Sequence, residues 1–198
     1  RLIGADPIDA LAERAVVGTA SPRRKAQLLR QRNDLDIRLI RGNVQARLKK
    51  IEDGEYDATL LAAAGLKRLD MDDVGAEISN EIMLPAPAQG AIGVEVRSED
   101  SHVRRLMHAI SSTNTFRAVT AERLFLEQLT ADCHSPVAAM ATVDGATIHL
   151  RAEILLPDGS QFVDGKASFD TGDVSAPGIL ADTLLGQASA ELKAVFGR

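Results

Sequence analysis

Five arginines and one cysteine are the residues of this 198-residue chain best suited to chemistry. Arg23 and Arg24 follow Ser21 and Pro22, Arg41 directly follows a short apolar run, Arg47 lies six residues on in a helical stretch, and Arg68 follows the apolar run that ends in Ala64-Gly65. A guanidinium is a planar fork shaped for paired hydrogen bonds to a carboxylate or a phosphate. Several of them converging would make a cleft for a small polyanion, with Thr19 and Ser21 adding hydroxyls. The other reading is a set of scattered surface arginines with partners in the chain. Cys133, in Thr130-Ala131-Asp132-Cys133-His134-Ser135-Pro136, is the lone thiol. A buried, inert cysteine is the default, but polar flanks and a proline point to an accessible one. A Cys–His nucleophile pair with His134 is the other option. Adjacent side chains often point apart, however, and Asp132 opposes thiolate formation. His102, His108, His134 and His149 form no recognised ligand spacing with Cys133, so no metal is expected.

The elements that position these groups can be read from caps and periodicity. Residues 15–18 form a short strand, and Ser21 and Pro22 then supply an N-cap and a first helical position. That helix runs to about Arg32. Residues 37–40 form a second strand, Val44 to about Asp53 a second helix stopped by Gly54, and residues 58–63 a third strand. Strand and helix in alternation predict a parallel sheet with crossover helices. Ligands of such sheets bind outside the carboxyl ends of the strands. Residues 19–24, 41–47 and 62–68 should therefore gather at that edge. Two arginines in the first turn of a helix cost it roughly a few tenths of a kcal/mol, so they suit a bound anion better than helix stability.

Leu84-Pro85-Ala86-Pro87-Ala88-Gln89-Gly90 breaks the rhythm as a connection. Residues 91–96 predict a further strand and residues 101–110 a helix. A second, α+β unit follows. It has a helix over residues 114–129 and a hairpin of residues 137–143 and 147–156 turning at Asp144-Gly145. A third strand over residues 161–169 and one long helix over about residues 176–196 complete it.

Composition bounds the partners. Residues 1–50 hold 12 Lys/Arg against 5 Asp/Glu, and residues 51–198 hold 11 against 23, for a net charge of −5. A nucleic-acid patch over residues 23–50 is disfavoured by the acidic remainder and by five Phe, one Tyr and no Trp. No run approaches the roughly 20 apolar residues of a membrane helix. One cysteine excludes an intrachain disulfide and fits a reducing compartment. No signal peptide is visible, and the chain starts at Arg1, which reads as a trimmed chain or fragment.

Several segments resemble porphobilinogen deaminase (hydroxymethylbilane synthase). They are Gly18-Thr19-Ala20-Ser21-Pro22-Arg23-Arg24, Ile40-Arg41-Gly42-Asn43-Val44-Gln45-Ala46-Arg47-Leu48, Gly54-Glu55-Tyr56-Asp57-Ala58 and Ala63-Ala64-Gly65-Leu66-Lys67-Arg68-Leu69. Leu84-Pro85-Ala86-Pro87-Ala88-Gln89-Gly90, Thr120-Ala121-Glu122-Arg123 and Cys133-His134-Ser135-Pro136-Val137 complete the set. The chain departs from the family at Ala131 and Asp132, where glycines are usual, and at Ser135, where a β-branched residue is usual.

The resemblance implies a periplasmic-binding-protein-like parallel-sheet domain followed by a small α+β domain with a three-stranded antiparallel sheet. Residues 1–84 would be the α/β anion-binding domain, 85–110 a hinge and returning segment of an absent first domain, and 111–198 the cofactor-attachment domain. It implies a cytoplasmic, monomeric transferase of haem biosynthesis that condenses porphobilinogen into hydroxymethylbilane with release of ammonia. Cys133 would hold a dipyrromethane cofactor by a thioether. Arg23, Arg24, Arg41, Arg47 and Arg68 would bind its carboxylates, with Thr19 and Ser21 as hydroxyl donors. The acid/base aspartate would lie in the absent domain, leaving this chain inactive alone. The alternative is a non-catalytic module that holds a small carboxylate.

Overall fold

A computed structural model describes residues 1–5 and 7–198. The first half contains β1 (Leu2–Ile3), β2 (Val16–Gly18), α1 (Pro22–Gln31), β3 (Asp36–Arg38), α2 (Val44–Glu52), β4 (Ala58–Leu60) and α3 (Ala63–Lys67). The sheet order is β1-β4-β2-β3. Strand β2 pairs in parallel with both β3 and β4, so their carboxyl ends share one edge. Strand β1, which periodicity did not reveal, is only two residues long and pairs antiparallel with β4. Leu2, Val17, Leu28, Ala58 and Leu60 form the core beneath the sheet. Each leucine there contributes roughly 1.5–3 kcal/mol by leaving water.

Helices α1 and α2 begin where their caps say. Ser21 Oγ accepts from the Arg24 amide at 3.3 Å, with Pro22 in the first turn. Asn43 Oδ1 accepts from the Ala46 amide at 2.9 Å. Strands β3 and β4 are shorter than their apolar runs. Leu39 and Ile40 leave β3, the first exposed and the second fully buried. Ala63, placed in the strand by its apolar run, opens α3 instead.

The strand expected over residues 91–96 does not form. Ile92, Val94 and Val96 alternate as a strand face would, yet Ile92 is 86% exposed and Val94 59%. A strand needs a neighbour to take its backbone hydrogen bonds, and no sheet among the described residues offers one. Helix α4 (Ser101–Ile110) follows, capped by Asp100, with Leu106 and Ile110 also exposed.

The second unit is α5 (Thr113–Leu129), β5 (Val137–Asp144), β6 (Thr147–Leu155), β7 (Phe162–Asp170), α6 (Ala176–Gln187) and α7 (Ala190–Ala194). Its sheet runs β5-β6-β7, antiparallel throughout. Asp144 pairs with Thr147, so the two-residue turn is Gly145-Ala146, one position later than expected. Gly145 takes the positive φ that the first turn position demands. The single closing helix is two, because the Ser189 hydroxyl accepts from the Leu192 amide and starts a new one.

One face of β6 presents Ile148, Leu150, Ala152 and Ile154 to Phe125, Leu129, Leu184 and Leu192 from the helices. Strand alternation turns Arg151, Glu153 and Leu155 to the opposite face. That face meets the first unit. Arg30 of α1 pairs with Glu153 and lies over the Phe162 ring at 4.6 Å, while Arg151 pairs with Glu81.

Candidate functional site

The parallel strands bring three loops to one edge of the first sheet. Residues 19–21 leave β2, residues 39–43 leave β3, and residues 61–62 leave β4. Thr19 is buried and its Oγ1 accepts from the Ser21 amide at 3.2 Å, setting the turn into α1. Gly42 has a φ of +117, which a side chain would resist, and it swings the chain after Arg41 into α2. Arg47, one turn into α2, donates from Nε back to the Gly42 carbonyl at 2.9 Å.

The arginines are not equivalent. Arg23 is buried at 6% exposure; its Nη1 donates to Gln27 Oε1 at 2.6 Å and to the Leu84 carbonyl, and Nη2 reaches Gln89 at 3.4 Å. Its Nε has no partner among the described residues. Burial first, and then the charge of Arg24, push the Arg23 guanidinium down to about 10, against the opposing pull of Glu153. Arg23 therefore stays cationic at neutral pH. Arg24 donates to the Leu60 carbonyl at 2.9 Å. Burial lowers its pKa first, and the positive charge of Arg47 adds to that, so α1 and α2 place two like charges within reach of each other. Like charges held together are stabilised by an anion between them. Arg41 and Arg68 are exposed, after β3 and at the end of α3, and their side chains have no hydrogen-bond or ion-pair partner among the described residues.

Cys133 lies in an exposed loop between α5 and β5. Helix α5 ends on Thr130 at φ +55, and the Ala131 amide bonds back to the Leu126 carbonyl at 3.1 Å. Asp132 and Ser135 close the loop on itself. Asp132 Oδ1 accepts from the His134 amide at 2.8 Å and from Ser135 Oγ at 3.1 Å, while the Asp132 amide donates to Ser135 Oγ at 3.0 Å. These bonds hold the Asp132 carboxyl below the usual range. The thiol is left at the surface.

Sequence reasoning missed the second layer of contacts. Glu122 of α5 is buried and accepts from the Ala88 and Ala141 amides, joining helix, connection and β5. Burial raises its pKa, and the two amides pull it back. Gln27 stands four residues after Arg23, a spacing that places both on one helix face and was open to inspection. Glu153, distant in sequence and on the less apolar face of its strand, carried no such signal.

A polycarboxylate suits the donor set: an orphaned buried Nε, a half-buried like-charged pair, free arginines at the same edge and hydroxyls beside a helix N-terminus. Among the described residues no group of His, Cys, Asp and Glu could hold a metal ion, and no helix is long and apolar enough to cross a membrane.

Comparison with known proteins gives two family matches. Residues 2–105 match "Porphobilinogen deaminase, dipyromethane cofactor binding domain", and residues 116–185 match "Porphobilinogen deaminase, C-terminal domain". The arginine-bearing half thus corresponds to a dipyromethane cofactor-binding domain. Porphobilinogen deaminase of Sphingopyxis alaskensis is 48% identical over 197 residues, covering 98% of this chain and 61% of that protein. The enzyme of Paracoccus denitrificans is 46% identical over 186 residues, covering 93% and 59%. The chain spans about three-fifths of the length of these relatives.

Proposed function

The chain belongs to the porphobilinogen deaminase family, and from that premise we propose that it serves the condensation of porphobilinogen into the linear tetrapyrrole hydroxymethylbilane with loss of ammonia. The observation that carries this reading is the grouping of arginine-bearing loops at the carboxyl edge of the first sheet, in one chain with an exposed thiol. In this reading Cys133 Sγ would hold the dipyrromethane cofactor through a thioether to a pyrrole methylene carbon. The cofactor so held supplies a nucleophilic pyrrole carbon as primer.

The protein's part is binding and orientation. Arg24 and Arg47 share a carboxylate and lose their mutual repulsion. Arg41 and Arg68 take outer acetate and propionate groups, Arg23 offers Nε, and the Thr19 and Ser21 hydroxyls donate at the helix N-terminus. Each charge-assisted bond shielded from water contributes roughly 1.5–3 kcal/mol. No aspartate of the sequence is assigned acid–base work on the pyrrole nitrogens. Residues 1–84 form the anion-binding domain, 111–198 the cofactor-attachment domain, and 85–110 a segment that pairs with a further domain. The exposed Ile92, Val94, Leu106 and Ile110 support this last assignment. The protein works as a cytoplasmic monomer, with no nucleic-acid or membrane partner.

Intact-mass measurement on the protein and its Cys133→Ser variant tests the attachment. A dipyrrole adduct on the thiol form alone is expected. An adduct that survives Cys133→Ser, or an unmodified Cys133 in a preparation that turns over porphobilinogen, overturns it.

A further inference from the structure

Arg23 is held by a line of side chains that begins in the other unit. Glu153, on the face of β6 opposite the helix-packed core, is 2% exposed. Its carboxylate accepts from Arg30 Nη1 with one oxygen and from Gln27 Nε2 with the other. The same Gln27 amide nitrogen also donates to the Leu84 carbonyl at 3.1 Å. Both its protons are thereby committed, and the amide oxygen is left to accept from Arg23 at 2.6 Å.

Only one orientation of that amide works. Flipped, its nitrogen would face the Arg23 N–H groups and its oxygen would face the Glu153 carboxylate, so both contacts would be repulsive. Glu153 therefore selects the rotamer of Gln27, and Gln27 selects where the Arg23 guanidinium sits. We propose that Glu153, acting through Gln27, is a positioning residue for Arg23, so that the second unit sets the geometry of the anion-binding edge on the first. The cation is held with both Nη1 protons and one Nη2 proton engaged, which leaves the Nε–H and the second Nη2–H for a ligand carboxylate. Glu153 also favours the charged form of Arg23, consistent with the same alignment.

The consequence for binding rests on the function proposed above, whereas the positioning itself does not. Two variants cut the line at different links: Glu153→Gln removes the charge, and Gln27→Met removes the amide but keeps the Glu153–Arg30 pair. Arg151→Gln, which breaks the other pair between the units, with Glu81, is the control. Hydrogen exchange of the Arg23 Nε–H, followed by NMR on the folded protein, reads the positioning, and porphobilinogen titration reads the binding. Exchange should accelerate about tenfold in each line-cutting variant, the equivalent of one charge-assisted hydrogen bond lost. The double variant should go no further than either single one, and Arg151→Gln should leave exchange unchanged. Unaltered exchange in Gln27→Met overturns the positioning, as does equal acceleration in the control. If Glu153→Gln does not fold, Gln27→Met decides alone. A wild-type protein that ignores porphobilinogen counts against the proposed function, while the exchange result still decides the positioning.

Discussion

Gly159, in the turn between β6 and β7, lies on the backbone of α1, where a Cβ would stand 2.5 Å from the Arg30 amide nitrogen. Its φ is +71, a conformation that side chains resist. The turn thus docks against the helix that carries the candidate site at its other end, and it does so without a side chain between them.

Gly159→Ala meets both objections at once, steric overlap with α1 and a left-handed backbone. The expected loss is about 2–4 kcal/mol, from backbone strain and from a neighbour that is helix backbone and cannot move aside. Urea unfolding followed by circular dichroism measures it. A cost below about 0.5 kcal/mol would mean that the turn does not rest on α1.

Ser21 both caps α1 and stands in the proposed binding edge, and two substitutions separate the roles. Ser21→Ala should cost about 1 kcal/mol through the lost cap. Ser21→Asp keeps a capping oxygen and favours the helix dipole, so stability should hold or rise. It also places an anion beside Arg24, and porphobilinogen affinity should fall at least as far as in Ser21→Ala. Thermal melts and titrations on the same samples compare the two.

Arg47 offers the converse. Its only side-chain hydrogen bond among the described residues is an exposed one to Gly42, and its charge repels Arg24. Arg47→Gln should therefore leave stability within about 0.5 kcal/mol of wild type. Carboxylate affinity should drop about tenfold or more, since a charge-assisted contact is lost. Raising ionic strength should stabilise the unliganded wild type and leave the variant less affected.

Asp34 supplies an acid-limb prediction. Arg32 grips its carboxylate with Nε and Nη2, both at 2.8 Å, and the Arg14 amide donates at 2.9 Å. These contacts hold the Asp34 carboxyl well below its ordinary value of 3.8. A depressed folded value means that the unfolded chain binds the proton first as the solution is acidified. The stabilisation is full above about pH 3.8 and is lost as pH falls below it. Asp34→Asn should flatten the acid limb of a plot of urea midpoint against pH, with the two curves drawing together at the acid end. An unchanged limb in the variant would remove Asp34 from the account.

Much of the candidate site was legible because the signals are local. Ser21 with Pro22 and Asn43 with its helix are caps that act within three residues, and they put α1 and α2 where the strands require them. The expectation of parallel pairing, which gathers residues 19–24, 41–47 and 62–68 at one edge, needs no reference to any distant contact. What misled was apolar length taken as strand length. Leu39 and Ala63 are apolar, but one lies exposed beyond β3 and the other begins a helix.

The sequence by itself determined the strand–helix alternation from β2 to α3, the helix and antiparallel strands from α5 to β7, and the arginines and thiol available for chemistry, since capping and periodicity are short-range effects. Only the tertiary structure decided what those groups meet. Glu153 reaches Gln27 across 126 positions, Arg23 turns inward to Leu84 and Gln27 while Arg41 stays outside, and residues 91–96 form no strand. A buried carboxylate is tolerated only where partners already stand, and those partners are supplied by packing two surfaces together rather than by anything nearby along the chain.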